Sequence, residues 1–167
     1  MANATVLRSS LTAIIPRLRT QLAAVTGLPE GRVRYVARQQ KTPHFSAPRD
    51  LLIEDAGFEG DPGNSDRHDC RLLRRLAVTI RTRCELGEAD ADEPWALDAD
   101  EGNIAFEELV IDAVQNFFPE DDDRNILTYE PMKVLRGEVR KREKDGWGEV
   151  RLVFHAGNES PMDQART

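Results

Sequence analysis

The sequence predicts an α+β domain: a largely antiparallel or mixed sheet of about five strands flanked by two helices, in the order α-β-β-β-α-β-β. Three observations lead there. Two segments, near residues 12–26 and 103–118, carry apolar residues at helical spacing. Three strand-like runs lie between them, and two more follow, joined through "KDG". The polar clusters "EGDPGNSDRHD" (59–69) and "EADADEPWALDADE" (88–101) fall between these elements, where turns and loops belong. At 167 residues the chain suits one domain, expected over residues 1–156 with a flexible tail at 157–167.

The first helix places Leu11, Ile14, Ile15, Leu18, Leu22 and Val25 on one side. A start near Thr12 keeps Pro16 in the first turn, and Gly27 followed by Pro29 stops the helix. "RVRYVAR" (32–38) alternates, with Val33, Tyr35 and Ala37 inward and Arg32, Arg34 and Arg38 outward. "DLLIE" (50–54) reads as a short second strand, after the long connection "QQKTPHFSAP". "RRLAVTIRTRCEL" (74–86) alternates most clearly, with Leu76, Val78, Ile80, Thr82, Cys84 and Leu86 inward and Arg75, Thr79, Arg81, Arg83 and Glu85 outward.

The second helix, read over 103–118, has an apolar arc of roughly 200° if Phe117 and Phe118 belong to it. An arc of about 100° suffices to lie on one sheet, so the surplus predicts a further covering surface. Asp98 or Asp100 is the expected cap, and Glu107 sits inside the apolar arc near the positive end of the helix. "ILTYEPMKVLRGEVRKRE" (126–143) and "WGEVRLVFHA" (147–156) complete the sheet as a hairpin.

Charge is segregated along the chain. Residues 84–123 hold fifteen of the thirty acids and no Lys or Arg, whereas the other 127 residues hold 23 bases against 15 acids. Such separation describes surfaces and partners, not the fold. No run of about 18 apolar residues is present, so no membrane span is expected. The N-terminal "MANATVLRSSLTAIIPRLR" lacks the pattern of a signal peptide, which places the chain in the cytosol or in an assembly built there.

The residues point away from catalysis. There is no G-x-S-x-G elbow, no phosphate-cradling glycine loop, and no Cys or Ser with a His at a known spacing, so no catalytic residue and no cofactor is expected. His44, His68 and His155 are scattered, and Cys70 and Cys84 set no disulfide framework. Asp98, Asp100 and Gly102 imitate a calcium loop, but Leu109 stands where its twelfth-position acid belongs, so no metal is expected. Rows of arginine on strand faces, with "RKREK" (140–144), make a nucleic-acid-binding module the rival of a different class. Stacking aromatics do not interleave with those rows, however, and the acidic half would repel a polyanion.

"RRLAVTIRTRCELGEADADEPW", the "EELVIDAV" helix, "LTYEPMKV" and the closing "GWGEVRLVF" resemble tail terminator (tail-completion) proteins and related minor tail proteins of long-tailed bacteriophages. The resemblance implies a subunit of a homo-oligomeric, hexameric ring in the virion that caps the head-proximal end of the tail tube. Its implied partners are the tail tube protein and a head-side connector protein, with DNA passing through the ring without sequence-specific binding. Another head–tail connector or minor tail protein is the alternative within that class. For the subunit interface, the expectation joins an acidic surface formed by Asp90, Asp92, Glu93 and Trp95, with Ile111 and Phe118 of the second helix, to a basic one. The basic candidates are Arg81, Arg83, Arg140, Lys141 and Arg142.

Overall fold

A computed structural model describes residues 11–46, 48–60, 72–83, 102–124, 126–128, 131–142 and 147–160, with backbone alone at 58–60, 72–73, 141–142, 147 and 157–160. Helix α1 (Leu11–Thr26) is followed by strands β1 (Val33–Val36), β2 (Arg49–Gly60) and β3 (Leu72–Arg83). Helix α2 (Asn103–Val114) then precedes strands β4 (Lys133–Arg142) and β5 (Trp147–Ser160). The five strands form one sheet in the order β1-β2-β3-β5-β4. The β1–β2 pair is parallel and the other three are antiparallel. The α+β class and the element order agree with the sequence reading.

Both helices pack on one side of the sheet. Ile14, Leu18 and Leu22 of α1, with Phe106, Val110 and Val114 of α2, meet Leu51, Ile53, Leu76, Val78, Ile80 and Phe154 in one buried cluster. The period-2 alternation of β3 selects Leu76, Val78 and Ile80 for this face, as read from sequence. Pro16 lies one residue deeper in the helix than expected, since α1 includes Leu11. Its missing N–H removes one backbone bond, while its carbonyl accepts a second donor, Thr20 Oγ1, at 3.1 Å. Gly27 closes α1 at φ +72°, donating its N–H to the Ala23 carbonyl at 3.0 Å.

Several boundaries differ from the sequence reading for identifiable reasons. β1 is only four residues long, and Tyr35 is 40 % exposed instead of inward, because this strand is the sheet's edge. β2 runs to Gly60 because a bulge between Asp55 and Phe58 absorbs an extra residue. Gly57 takes φ +87° there and donates its N–H to Asp55 Oδ1 at 2.8 Å. β4 begins at Lys133, after Pro131, which has no N–H to offer a ladder. β5 continues to Ser160, paired with Leu72, so residues 157–160 belong to the sheet and not to the tail.

Helix α2 ends at Val114, four residues before the apolar pattern does. Asn116 turns the chain at φ +63° and donates its N–H to the Met132 carbonyl at 2.8 Å, while Met132 returns a bond to Phe117. Phe117 and Phe118 therefore lie beyond the helix. Its buried side, Phe106, Val110, Ala113 and Val114, spans only about 100°. The N-cap is Gly102, whose carbonyl accepts the Phe106 N–H at 3.0 Å; Asp98 and Asp100 lie outside the described residues.

Glu107 flanks that buried side and is half-buried itself. Burial raises its carboxyl above the ordinary value of 4.5. A raised folded-state value means the native chain holds this proton more tightly than the unfolded chain does. Stability from this group is thus present below about pH 4.5 and lost as pH rises through the higher native value. Glu107→Gln is accordingly expected to raise the melting temperature at pH 7 and to leave it nearly unchanged at pH 4. Calorimetric melts of both proteins across that range check the sign.

Candidate assembly surface

Parallel pairing of β1 with β2 imposes a crossover, because the chain must return to the start of the neighbouring strand. Residues 37–46, described without a helix, carry that return across the sheet face opposite α1 and α2. Where the loop covers the sheet its carbonyls are withdrawn from water and need partners. Arginines supply them: Arg81 Nη1 donates to the Pro43 carbonyl at 2.8 Å, and Arg34 Nη2 donates to the His44 carbonyl at 2.8 Å.

Asp50 organises these arginines. Arg81 Nε donates to Asp50 Oδ1 at 2.7 Å and Arg81 Nη2 to Oδ2 at 2.5 Å, a two-pronged pair. Arg34 Nη2 and the Ser46 backbone N–H also reach Oδ2, at 2.8 and 2.9 Å. Arg81 is 1 % exposed and Asp50 fully buried. The Phe45 ring lies 5.7 Å from the guanidinium carbon of Arg81, closing the site from above.

Arg81 therefore faces the helix-free side, as its place in the alternation requires, but it is not at the surface. The crossover covers it, and its charge is matched within the chain. It is not available to a neighbouring subunit. Thr79, also read as outward, is buried for the same reason. The register continues the charge pattern across four strands: Asp50 lies opposite Arg81, Arg81 opposite Glu149, and Glu149 opposite Arg140. Beside this row a polar cleft is lined by Thr42, His44, Glu54, Thr79, Arg140 and Arg151. Arg151 Nε lies 3.8 Å from Glu54. Acids and bases alternate across the cleft, which favours a braced sheet face over a site for one anionic ligand.

The same pairing bears on the nucleic-acid rival. Of the six arginines read as outward rows, Arg34 and Arg81 are held by Asp50 and Arg38 by Asp55 at 2.7 Å. Phosphate contacts from those three would compete with internal carboxylates.

The remaining candidate residues fall in different places. Arg83 is exposed at the end of β3, and Arg140 is exposed on β4. The backbones of Lys141 and Arg142 continue β4. Phe118 is 40 % exposed, whereas Ile111 packs against the core cluster and offers less to a partner than expected. Asp90, Asp92, Glu93 and Trp95 lie outside the described residues. Sequence reasoning missed the exposed apolar residues of the edge strand, Val139 at 75 % and Leu135 at 42 %. A run with five bases to one acid concealed them, although a valine among charges on an edge strand was a usable signal.

Among the described residues no three His, Cys, Asp or Glu side chains gather to hold a metal ion. No described helix is long and apolar enough to cross a membrane.

Truncation of Asp50 leaves Arg81 charged, buried and half-satisfied. Asp50→Ala is expected to cost about 3–5 kcal/mol in denaturant unfolding. Replacing both partners by apolar groups, Asp50→Leu with Arg81→Met, is expected to cost far less. It should still free the crossover, seen as faster amide hydrogen exchange at residues 44–46.

No family model matches the chain, and no curated protein matches it. Solved structures do. A chain from the virion of a native gene transfer agent particle superposes with a TM-score of 0.50 at 19 % identity, covering 95 % of this chain and all of its own. The likeness runs from end to end in both chains, and what it establishes is a shared fold.

Proposed function

We propose that this chain is a structural virion protein, a subunit of a ring that caps the head-proximal end of a phage tail tube and presents a docking surface to the head connector. The observation that carries this reading is the whole-chain likeness to a component of a gene transfer agent virion, a phage-like particle. The sequence resemblance to tail terminators of long-tailed phages supports the same class by a separate route. Charge separation supports the ring. A closed ring of identical subunits needs two different surfaces on each copy, and an acidic one can meet a basic one around the circle.

In this reading the loop carrying Asp90, Asp92, Glu93 and Trp95 meets the neighbour's basic surface, with Arg83, Arg140, Lys141 and Arg142 as its counterparts. Arg81 is excluded from that set by its burial against Asp50. Ion pairs at such a surface contribute about 0–1 kcal/mol each, so they set register while apolar contact supplies most of the affinity. A structural role asks for no catalytic group, cofactor or metal.

Two measurements test this. Native mass spectrometry over a range of concentration and salt is expected to show a closed species, six-fold by the tail terminator resemblance, that loosens as salt rises. Added to polymerising tail tube protein, the chain is expected to shorten the tubes; tubes of unchanged length would sink the capping role. Reversing Asp90, Asp92 and Glu93 together to Lys is expected to weaken ring formation without unfolding the subunit. Unchanged assembly would remove that loop from the interface.

A further inference from the structure

Two exposed surfaces of the described chain match each other in chemistry. On α2, the side facing away from the buried Phe106, Val110, Ala113 and Val114 carries Glu108 and Asp112, with Ile104, 48 % exposed, on one flank and Leu109, 38 % exposed, on the other, about 140° apart. Both acids are exposed and without an ion-pair partner among the described residues. The helix has three acids and no base. On β4, Lys133, Arg136 and Arg140 are exposed on the helix-free face, opposite His155, Val153 and Glu149, whereas exposed Val139, opposite Val150, lies on the other face and exposed Leu135 sits in the bulge. Arg136 and Arg140 share one carboxylate, Glu138, each at 3.4 Å, so their positive charge is only half-matched.

One surface is thus a pair of acids flanked by exposed aliphatic side chains, the other a row of bases on a strand that also exposes Val139, and the signs are opposite. β4 is also the outer strand of the sheet, and no described strand pairs with its free side. Charge is one way such an edge is protected, and here the bases lie on one face while a valine on the other is three-quarters exposed.

We infer that the exposed side of α2 in one copy docks on the β4 edge of the next copy. The inference rests on the ring reading above and names the surfaces that join. Charge complementarity selects the occupant. The other sheet edge, β1, is bordered by Arg34 and Arg38, which are already paired with Asp50 and Asp55 of β2, and offers β4 no acidic counterpart, so edge-to-edge closure between copies is disfavoured. Direction selects the symmetry. The outer side of α2 looks away from the sheet, whereas β4 borders the sheet in its own plane. The two surfaces on one copy therefore face different ways, and the contact repeats head to tail instead of closing as a two-fold dimer. Glu108 and Asp112 meet Arg136, Arg140 and Lys133 at the centre of the contact, and the exposed aliphatic side chains at its margins, Ile104 and Leu109 on the helix and Val139 on the strand, add apolar contact.

Charge reversal in pairs tests this contact. Glu108→Lys with Asp112→Lys is expected to weaken self-association about tenfold at low salt, and Arg136→Glu with Arg140→Glu to do the same. All four changes in one chain restore opposite signs and are expected to bring association back to within about threefold of the unaltered protein. A 1:1 mixture of the two paired variants should also co-assemble. Val139→Asp should weaken association in a way that no charge change on α2 restores. Circular dichroism melts confirm that each variant is folded.

Losses that add in the four-fold variant, or reversals without effect, overturn the contact. A chain that stays monomeric at every concentration overturns it too, while leaving capping on contact with a tube untouched. Conversely, rings that form through these surfaces but do not arrest tube growth keep the contact and sink the capping role.

Discussion

One buried carboxylate ties three neighbouring strands and a crossover together. Asp50 receives four N–H donors, two from Arg81, one from Arg34 and one from the Ser46 backbone. A carboxylate withdrawn from water would be severely destabilising alone, and its partners bring the total near balance, not to a large gain. What the cluster contributes is specificity. It joins β1, β2 and β3 through side chains and ties down a crossover that has no helix or strand of its own. Without it, the parallel β1–β2 pair would be connected by a loop whose carbonyls had only water to satisfy them.

The sheet accordingly has two faces built on different physics. One is covered by α1 and α2 and held by aliphatic burial, with Arg49 placed 4.7 Å over the Phe106 ring at its margin. The other is held by alternating charges that run from Asp50 to Arg140 across four strands. Much of the basic residue content is consumed by this second face. Exposed bases also stand on β4, at Lys133 and Arg136, and exposed acids on α2, at Glu108 and Asp112. Segregation of charge along the sequence thereby becomes segregation in space, at two surfaces that point in different directions. In the ring proposed here that arrangement would give the contact between copies a direction, with exposed Val139 and Leu109 adding apolar contact.

The sequence by itself determined the class, the order of elements and the buried stripe of each. Leu76, Val78 and Ile80 had to share a face because side chains alternate on a strand, and Leu18 and Leu22 had to share one because a helix turns every 3.6 residues. Gly27 stopped its helix through a backbone conformation open to glycine, again a local cause. The tertiary structure decided what local pattern leaves open. Alternation sent Arg81 to the helix-free face, but only the parallel pairing of β1 brought a loop over it and turned a surface arginine into a buried one. Likewise, the apolar run through Phe118 continued the helix on paper, yet long-range bonds between Asn116, Phe117 and Met132 ended it at Val114. Periodicity reports which way a side chain points; what waits there is set by strand pairing and by chain segments distant in sequence.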